Sequence, residues 1–382
     1  MIRRLLDLTN YNYSLFLFGP RQTGKTYLIK NTITSDIYID MLKHAERTRY
    51  SNDPSLLSKE IAALKKEKLI VVVDEIQQCP NLLNEIHLLM DQRSDIQFMM
   101  TGSSARKLRR ISTNLLGGRA LTLHLHALTS EELREKFILE DALHFGSLPK
   151  IYLEQNKQNK IHLLKSYVET YLTEEIQQEA VTRNVPLFSR FLELAGFENG
   201  NILNFSNIAR EIGVRSNTIK DYFQILEDTL IGFFIFPYER SHRKRLVSHP
   251  KFYFFDCGIV TALQRRLSES APPGSPPYGN AFEHFILLEI KRLLDYRQRE
   301  AKMSFFRTTD GAEVDIILEK DQRIWAIEVK SSTSPRIEAL QGLRSFISDH
   351  SYDRVICVCQ TPRPYVVGKI EFLPWQEFLK EI

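Results

Sequence analysis

Up to about residue 130 the chain alternates short, mostly apolar runs with longer stretches in which apolar residues recur three and four apart. The runs Ser14–Phe18, Ile37–Asp40, 69–73 and 96–100 have the length of strands. Leu69-Ile70-Val71-Val72-Val73 is apolar throughout, which suits a strand covered on both faces in a parallel sheet. Residues 56–64 and 82–89 have helical spacing, and 120–128 alternates apolar with polar residues, as a last strand would. Strand and helix in alternation are βαβ units, so this part is expected to be α/β.

From about 130 to 235 the pattern turns helical, and 159–179 repeats apolar positions three and four apart with charges between them. Within 204–223 a short helical stretch closes on Gly213, a C-cap signal, and another restarts at Ser216, a capping residue. Two short helices joined by a glycine turn form a helix-turn-helix. Residues 271–279 hold four prolines and are expected to be a linker or exposed loop. Beyond them 280–290 reads as an amphipathic helix, 311–318 as a strand and 325–330 as its hairpin partner. Three parts are therefore expected: 1–130, 131–270 and 271–382.

Length agrees with this division, since 382 residues exceed one ordinary core. No apolar run approaches the roughly 20 residues of a membrane helix. The start Met1-Ile2-Arg3-Arg4-Leu5-Leu6 lacks the apolar core and cleavage site of a signal peptide. The cysteines Cys79, Cys257, Cys357 and Cys359 include no C-x-x-C pair, which argues against a zinc ribbon. A cytoplasmic protein without a membrane partner is expected. The net charge of +4 is too mild to identify a nucleic-acid partner, so local clusters must carry that case.

One octet carries specific chemistry. Gly19-Pro20-Arg21-Gln22-Thr23-Gly24-Lys25-Thr26 fits G-x-x-x-x-G-K-[ST], the phosphate-binding Walker A loop, and lies between a strand-like run and a helix-like one. The pattern arises by chance in about one per hundred chains of this length, judged from average residue usage. Gly19 and Gly24 permit close backbone approach, and the loop amides with the following helix N-terminus face phosphate oxygens. Lys25 would reach the β- and γ-phosphates of ATP, and Thr26 would ligate Mg²⁺. The run 69–73 ends in Asp74-Glu75, at the strand end where open α/β sheets place ligands. Asp74 would hold Mg²⁺ and Glu75 would polarise the attacking water. Thr101 and Ser103, at the tip of the next strand, are candidates to contact the γ-phosphate or the water. Arg119, after two glycines, is placed as a finger or sensor arginine, or equally to cap a helix or bind a surface carboxylate.

A second constellation lies near the C-terminus. Glu328 and Lys330 are two apart on one strand and share a face, Asp315 lies on the neighbouring strand, and Glu283 on a helix that can pack beside it. Asp315 and Glu328 offer hard oxygen ligands for Mg²⁺ or Mn²⁺, which Glu283 would complete. Lys330 would orient or deprotonate a metal-bound water. For nucleic acid, Arg215, Asn217 and Lys220 at the second helix of the helix-turn-helix can contact phosphates or base edges. The cluster containing Arg243, Lys244 and Arg245, followed by Lys251, reads as a phosphate-gathering patch.

The octet, the strand ending in Asp74-Glu75, Thr101-Gly102-Ser103-Ser104 and Gly117-Gly118-Arg119 resemble the bacterial and archaeal AAA+-like ATPases of the ASCE division. Within these the chain is similar to the group with a C-terminal nuclease-like half. Gly146-Ser147-Leu148-Pro149, residues 167–175, Lys244-Arg245-Leu246 and Phe254-Phe255-Asp256-Cys257-Gly258 extend the resemblance over nearly the whole chain. Ser147 stands where the family usually has a second glycine, and Cys257 where it often has threonine. The resemblance implies an N-terminal P-loop NTPase sheet, a helical and winged-helix middle and a restriction-endonuclease-like end of the PD-(D/E)XK kind. It implies ATP with Mg²⁺, DNA as a partner, and a homo-oligomer if Arg119 acts in trans. Two functions follow: an ATP-driven DNA-processing protein with a metal-dependent nuclease end, or a nucleotide-dependent switch that binds DNA or protein without cleaving.

Overall fold

The computed structural model describes residues 2–103, 118–172, 185–238 and 249–382, which divide into two compact units. The first contains the residues up to Leu128 and the short stretch Asp228–Ile231.

In the first unit, β1 (Ser14–Phe18), β2 (Ile37–Asp40), β3 (Leu69–Asp74), β4 (Ile96–Gly102) and β5 (Ala120–His124) form one sheet in the order β2-β3-β4-β1-β5. Every pairing is parallel. The apolar runs are the central strands, and alternate residues on one face supply a hydrophobic core. Phe16, Phe18, Val71, Val73, Phe98 and Met100 meet Leu57 and Ile61 of the helix Leu56–Ala63 and Leu82, Leu83 and Ile86 of the helix Leu82–Gln92. Each such fully buried side chain contributes about 1.5–3 kcal/mol. β5 is an edge strand and is covered less than the central ones: Leu121 and Thr122 are exposed while Leu123 is buried. Because β4 lies between β1 and β3, three strand ends sit side by side at the C-terminal edge. They present the loop 19–24, Thr101–Ser103 and Asp74-Glu75.

The second unit starts as a helical array and ends as a mixed sheet. Its helices include Leu139–Phe145, Lys157–Ser166, Val185–Phe197 and Cys257–Leu263. Two segments singled out in the sequence meet here. Asp256 accepts hydrogen bonds from the Ser147 N–H (2.8 Å) and the Gly258 N–H (2.9 Å), and caps the helix Cys257–Leu263. A Cβ on Gly258 would lie 2.1 Å from the Phe145 carbonyl oxygen, so glycine is required there. The Ser147 hydroxyl accepts from buried Arg292 at 2.9 Å, a bond that a glycine would not offer.

The sheet comprises β6 (Gly232–Pro237), β7 (Lys251–Phe254), β8 (Ala301–Arg307), β9 (Glu313–Lys320), β10 (Arg323–Val329), β11 (Arg354–Cys359), β12 (Tyr365–Val367) and β13 (Ile370–Pro374). Its order is β12-β13-β11-β10-β9-β8-β6-β7. Sequence composition divides the chain near residue 271, but β6 and β7 precede that point and still extend the C-terminal sheet. β6 pairs with β8 through Phe236↔Ser304 and Pro237↔Phe305.

The proline-rich stretch is only partly a loop. The helix Pro276–Tyr296 begins inside it, with Ser275 as N-cap and proline at its first positions. The expectation that these prolines exclude helix is corrected by position. In a first helical turn the missing N–H has no intrahelical partner to lose, and the fixed φ is already helical.

Candidate functional sites

The phosphate loop is built by close approach and one left-handed turn. A Cβ on Gly19 would lie 2.2 Å from the Leu125 carbonyl oxygen. Gly24 has φ +96° and is the N-cap of the helix Lys25–Thr32. Lys25 is buried and donates to the carbonyl oxygens of Gly19 (2.8 Å) and Pro20 (3.2 Å), and the Thr23 hydroxyl donates to Pro20 O (2.9 Å). Arg21 and Gln22, at the crest of the loop, are partly exposed. Arg4 buttresses the loop by donating to Thr23 O (2.8 Å) and His126 O (2.6 Å). Sequence reasoning did not find Arg4, because it lies far from the octet in a stretch without a motif.

Asp74 is held on three sides. Oδ2 accepts from the Thr26 hydroxyl (2.8 Å) and the Tyr38 hydroxyl (2.7 Å), and Oδ1 accepts from the Thr101 hydroxyl. Burial and the adjoining Asp74 carboxylate push the Tyr38 phenol well up, so it remains a donor. Thr101 Oγ1 also accepts the Glu75 N–H at 2.9 Å, at a residue with φ +59°. Gln77 Nε2 donates to Glu75 Oε2 and to Ser103 Oγ (3.1 Å), linking two residues named from the sequence. Gln77 was missed because its role depends on the turn Ile76–Gln78. Thr26 and Asp74 thus place a hydroxyl and a carboxylate together beside Lys25, a donor set that fits Mg²⁺. Arg119 forms an exposed ion pair, Nε to Asp91 Oδ1 at 2.7 Å. This is the surface-carboxylate alternative, and such a pair holds an arginine only weakly.

The C-terminal constellation assembles on β9, β10 and the helix Pro276–Tyr296. Asp315 Oδ2 accepts the Val329 N–H at 2.7 Å, and Lys330 Nζ lies 2.6 Å from Glu328 Oε1. Burial, then the charges of Glu328 and Glu283, hold the Asp315 carboxyl well above the usual carboxylate range. Burial raises Glu328 against the opposing pull of Lys330. Burial works against the Lys330 ammonium, but Glu328 and Asp315 prevail and raise its pKa. Glu328 Oε2 is buried without a hydrogen-bond partner among the described residues. An orphaned carboxylate oxygen among crowded carboxylates fits a hard divalent cation. Among the described residues, however, no three histidine, cysteine, aspartate or glutamate side chains already form a metal-binding group.

Three further residues join this site. The Tyr253 hydroxyl donates to Glu283 Oε1 at 2.8 Å, and burial, then Glu283, raises its pKa far above the usual phenol value. Lys251 pairs with Glu313 and lies 3.9 Å from Glu283 Oε1. Lys251 therefore does not act as one more charge of the basic cluster that precedes it in the sequence. It is 4% exposed, because its strand directs it inward.

The helix-turn-helix is formed by Phe205–Ile212 and Ser216–Asp228 around Gly213, whose φ is +84°. β6 and β7 follow as an antiparallel hairpin. Arg215, Asn217 and Lys220 are exposed, and Lys220 Nζ lies 5.7 Å from the centre of the Phe205 ring. Arg243, Lys244 and Arg245 lie outside the described residues, between the two strands of the hairpin. Among the described residues no helix is long and apolar enough to cross a membrane.

Comparison with known proteins agrees with the first unit. Residues 11–134 match the AAA domain family, so the N-terminal part carries a P-loop AAA-type ATPase domain. Residues 136–270 and 278–378 match two domains of unknown function, DUF8612 and DUF4143. An uncharacterized protein of Mycobacterium tuberculosis, Rv2008c, is 25% identical over 348 residues, 90% of this chain and 76% of the relative. An uncharacterized protein of Methanocaldococcus jannaschii, MJ1544, is 23% identical over 304 residues, 72% of this chain and 66% of the relative. Among solved structures, the Walker-type ATPase PABY2304 of Pyrococcus abyssi is similar with a TM-score of 0.48 and 15% identity, over 68% of this chain and 92% of that one. The ORC2 protein of Aeropyrum pernix in its ADP form gives a TM-score of 0.34 and 12% identity, over 67% of this chain and 88% of that one.

Proposed function

We propose that the chain is an ATP-driven DNA-processing protein. Its AAA-type unit binds and hydrolyses ATP, its winged helix binds DNA, and its C-terminal acidic site holds Mg²⁺ or Mn²⁺ for phosphodiester cleavage. The observation that carries the ATPase reading is the unbroken hydrogen-bond chain from Thr26 through Asp74, Thr101, Glu75 and Gln77 to Ser103. It ties the loop, the cation ligands and the water-polarising carboxylate into one arrangement. Lys25 leaves its carbonyl partners for the β- and γ-phosphates. Thr26 and Asp74 hold Mg²⁺, which offsets phosphate charge. Glu75, steadied by Gln77, orients and polarises the attacking water, a role worth about 10²–10⁴ in rate.

At the acidic site Asp315 and Glu328 hold the cation, Glu283 faces the same cluster, and Lys330 stabilises charge or orients water. The helix-turn-helix supports DNA as partner through exposed Arg215, Asn217 and Lys220. The second reading, a switch that holds DNA without cutting it, is favoured by the lack of a ready-made metal group among the described residues. Two assays decide. Lys25→Ala is expected to lose ATP binding, and Glu75→Gln to keep binding but lose turnover. Normal turnover in Lys25→Ala would refute the ATPase assignment. Cleavage of single-stranded, duplex and branched DNA with Mn²⁺ or Mg²⁺, with and without ATP, is expected to vanish in Asp315→Ala. No cleavage of any substrate by the wild-type chain selects the switch.

A further inference from the structure

The acidic site contains a lysine outside its Asp, Glu-x-Lys signature. Lys251 opens β7, in the middle third of the chain, more than 60 residues before Asp315. β7 alternates. Phe252 and Phe254 form an edge-on pair, and Phe252 packs on Phe223 of the helix-turn-helix. Lys251 and Tyr253, two apart, both address Glu283. Burying an ammonium is costly unless it is paired. Here the pairing is ample: Glu313 in direct contact, Glu283 at 3.9 Å, and the Phe305 ring with its centre 5.3 Å from Nζ.

The charges of the cluster can be counted. Fully ionised, the four carboxylates of Glu283, Glu313, Asp315 and Glu328 stand against the two ammonium groups of Lys251 and Lys330, leaving two negative charges. Arg307 reaches Glu313 at 3.6 Å, but its side chain is 48% exposed and solvent screens it. Two negative charges match one divalent cation. The lysines also divide the cluster. Lys330 holds Oε1 of Glu328, and Lys251 holds Glu313 beside Glu283. Asp315 and the orphaned Oε2 of Glu328 are left for an incoming ion.

We propose that Lys251 is a resident counter-cation, a positioning residue that occupies the Glu283–Glu313 side and limits the acidic site to a single divalent cation. This rests on the reading of that site as a cation site. It also makes the site a joint product of the middle and C-terminal thirds of the chain.

Counting Mn²⁺ tests the proposal. The full chain, without nucleotide, is titrated with Mn²⁺ while free ion is followed by electron paramagnetic resonance. Bound ions are counted as the difference from Asp315→Asn, which removes any contribution from the ATPase site. The wild type is expected to bind one Asp315-dependent ion, Lys251→Met two, and Lys251→Arg one. An unchanged count in Lys251→Met overturns the role of Lys251 and leaves the cation site standing. No Asp315-dependent ion in the wild type overturns the cation reading itself. Should Lys251→Met fail to fold, Glu313→Gln replaces it. The freed ammonium then competes at Glu283 and Asp315, and Mn²⁺ affinity is expected to fall about tenfold. An unchanged affinity overturns the proposal.

Discussion

Replacing Thr101 with valine tests the central link of the ATPase site. The two side chains have nearly the same shape, and valine suits a strand, so the change leaves no cavity. It removes one hydroxyl from a fully buried position. That hydroxyl donates to Asp74 Oδ1 and accepts the Glu75 N–H. Valine leaves both groups without this partner, and each buried group so orphaned costs about 1–3 kcal/mol, more for a charged one. The sum is about 2–6 kcal/mol, a large share of the roughly 5–15 kcal/mol that holds a domain folded. For a unit of this size each kcal/mol lowers Tm by about 2–8 °C. The expected outcome is a fall of at least about 4 °C in the first unit, with ATP turnover reduced by about tenfold or more as Glu75 loses its anchor. Thr101→Ser keeps the hydroxyl and is expected to restore most of the turnover. Calorimetry and a phosphate-release assay measure both quantities. If Thr101→Val melts with the wild type and turns over ATP within about twofold of it, the hydrogen-bond chain does not have the role assigned to it.

The acidic site predicts a pH dependence. Burial raises the carboxyls of Asp315 and Glu328, and at Asp315 the charges of Glu328 and Glu283 add to the shift. A carboxyl raised on folding holds its proton more tightly folded than unfolded, so its stabilising effect is complete below the unfolded pKa and is lost as pH rises through the folded one. Without divalent cation, the Tm of the second unit is therefore expected to fall as pH rises past the ordinary carboxylate range. Mn²⁺ should recover it and Asp315→Asn should flatten the profile; a Tm that rises over that window refutes the assignment. For DNA, Arg215→Ala and Lys220→Ala are each expected to weaken binding and to lower the slope of log affinity against log salt by about one. Fluorescence anisotropy across salt concentrations measures this, and unchanged slopes in both would remove the helix-turn-helix from the interface.

Much of the first unit was legible because its signals are local. The apolar run 69–73 has to be a covered strand, and a covered strand has to end where its carboxylates meet solvent or ligand. The octet encodes its own turn, so Lys25 and Thr26 follow directly. Gln77 and Arg4 were not legible. Gln77 reaches Glu75 only because residue 75 adopts a left-handed conformation, and Arg4 works through backbone carbonyls that carry no side-chain signature. The proline stretch is not legible from composition, because composition carries no position: the same two prolines break a helix in its middle and start one at its first turn.

Lys251 shows where sequence neighbours and spatial neighbours part. It closely follows a basic cluster, and by linear context it reads as one more phosphate-binding charge. Its own four residues carry the better signal. Lys251-Phe252-Tyr253-Phe254 alternates polar with apolar, so one face of a short strand must be aromatic core and the other must satisfy an ammonium and a phenol together. An inward-facing lysine needs carboxylates. Those carboxylates are Glu283 and Glu313, supplied by a helix and a strand that follow much later in the chain. Strand alternation can announce that Lys251 is inside. Only the pairing of β6 with β8, which joins the β6–β7 hairpin to the C-terminal sheet, determines what it meets there. The same pairing gives the acidic site a wall from the hairpin that follows the helix-turn-helix, so a change in that hairpin is a change in the site.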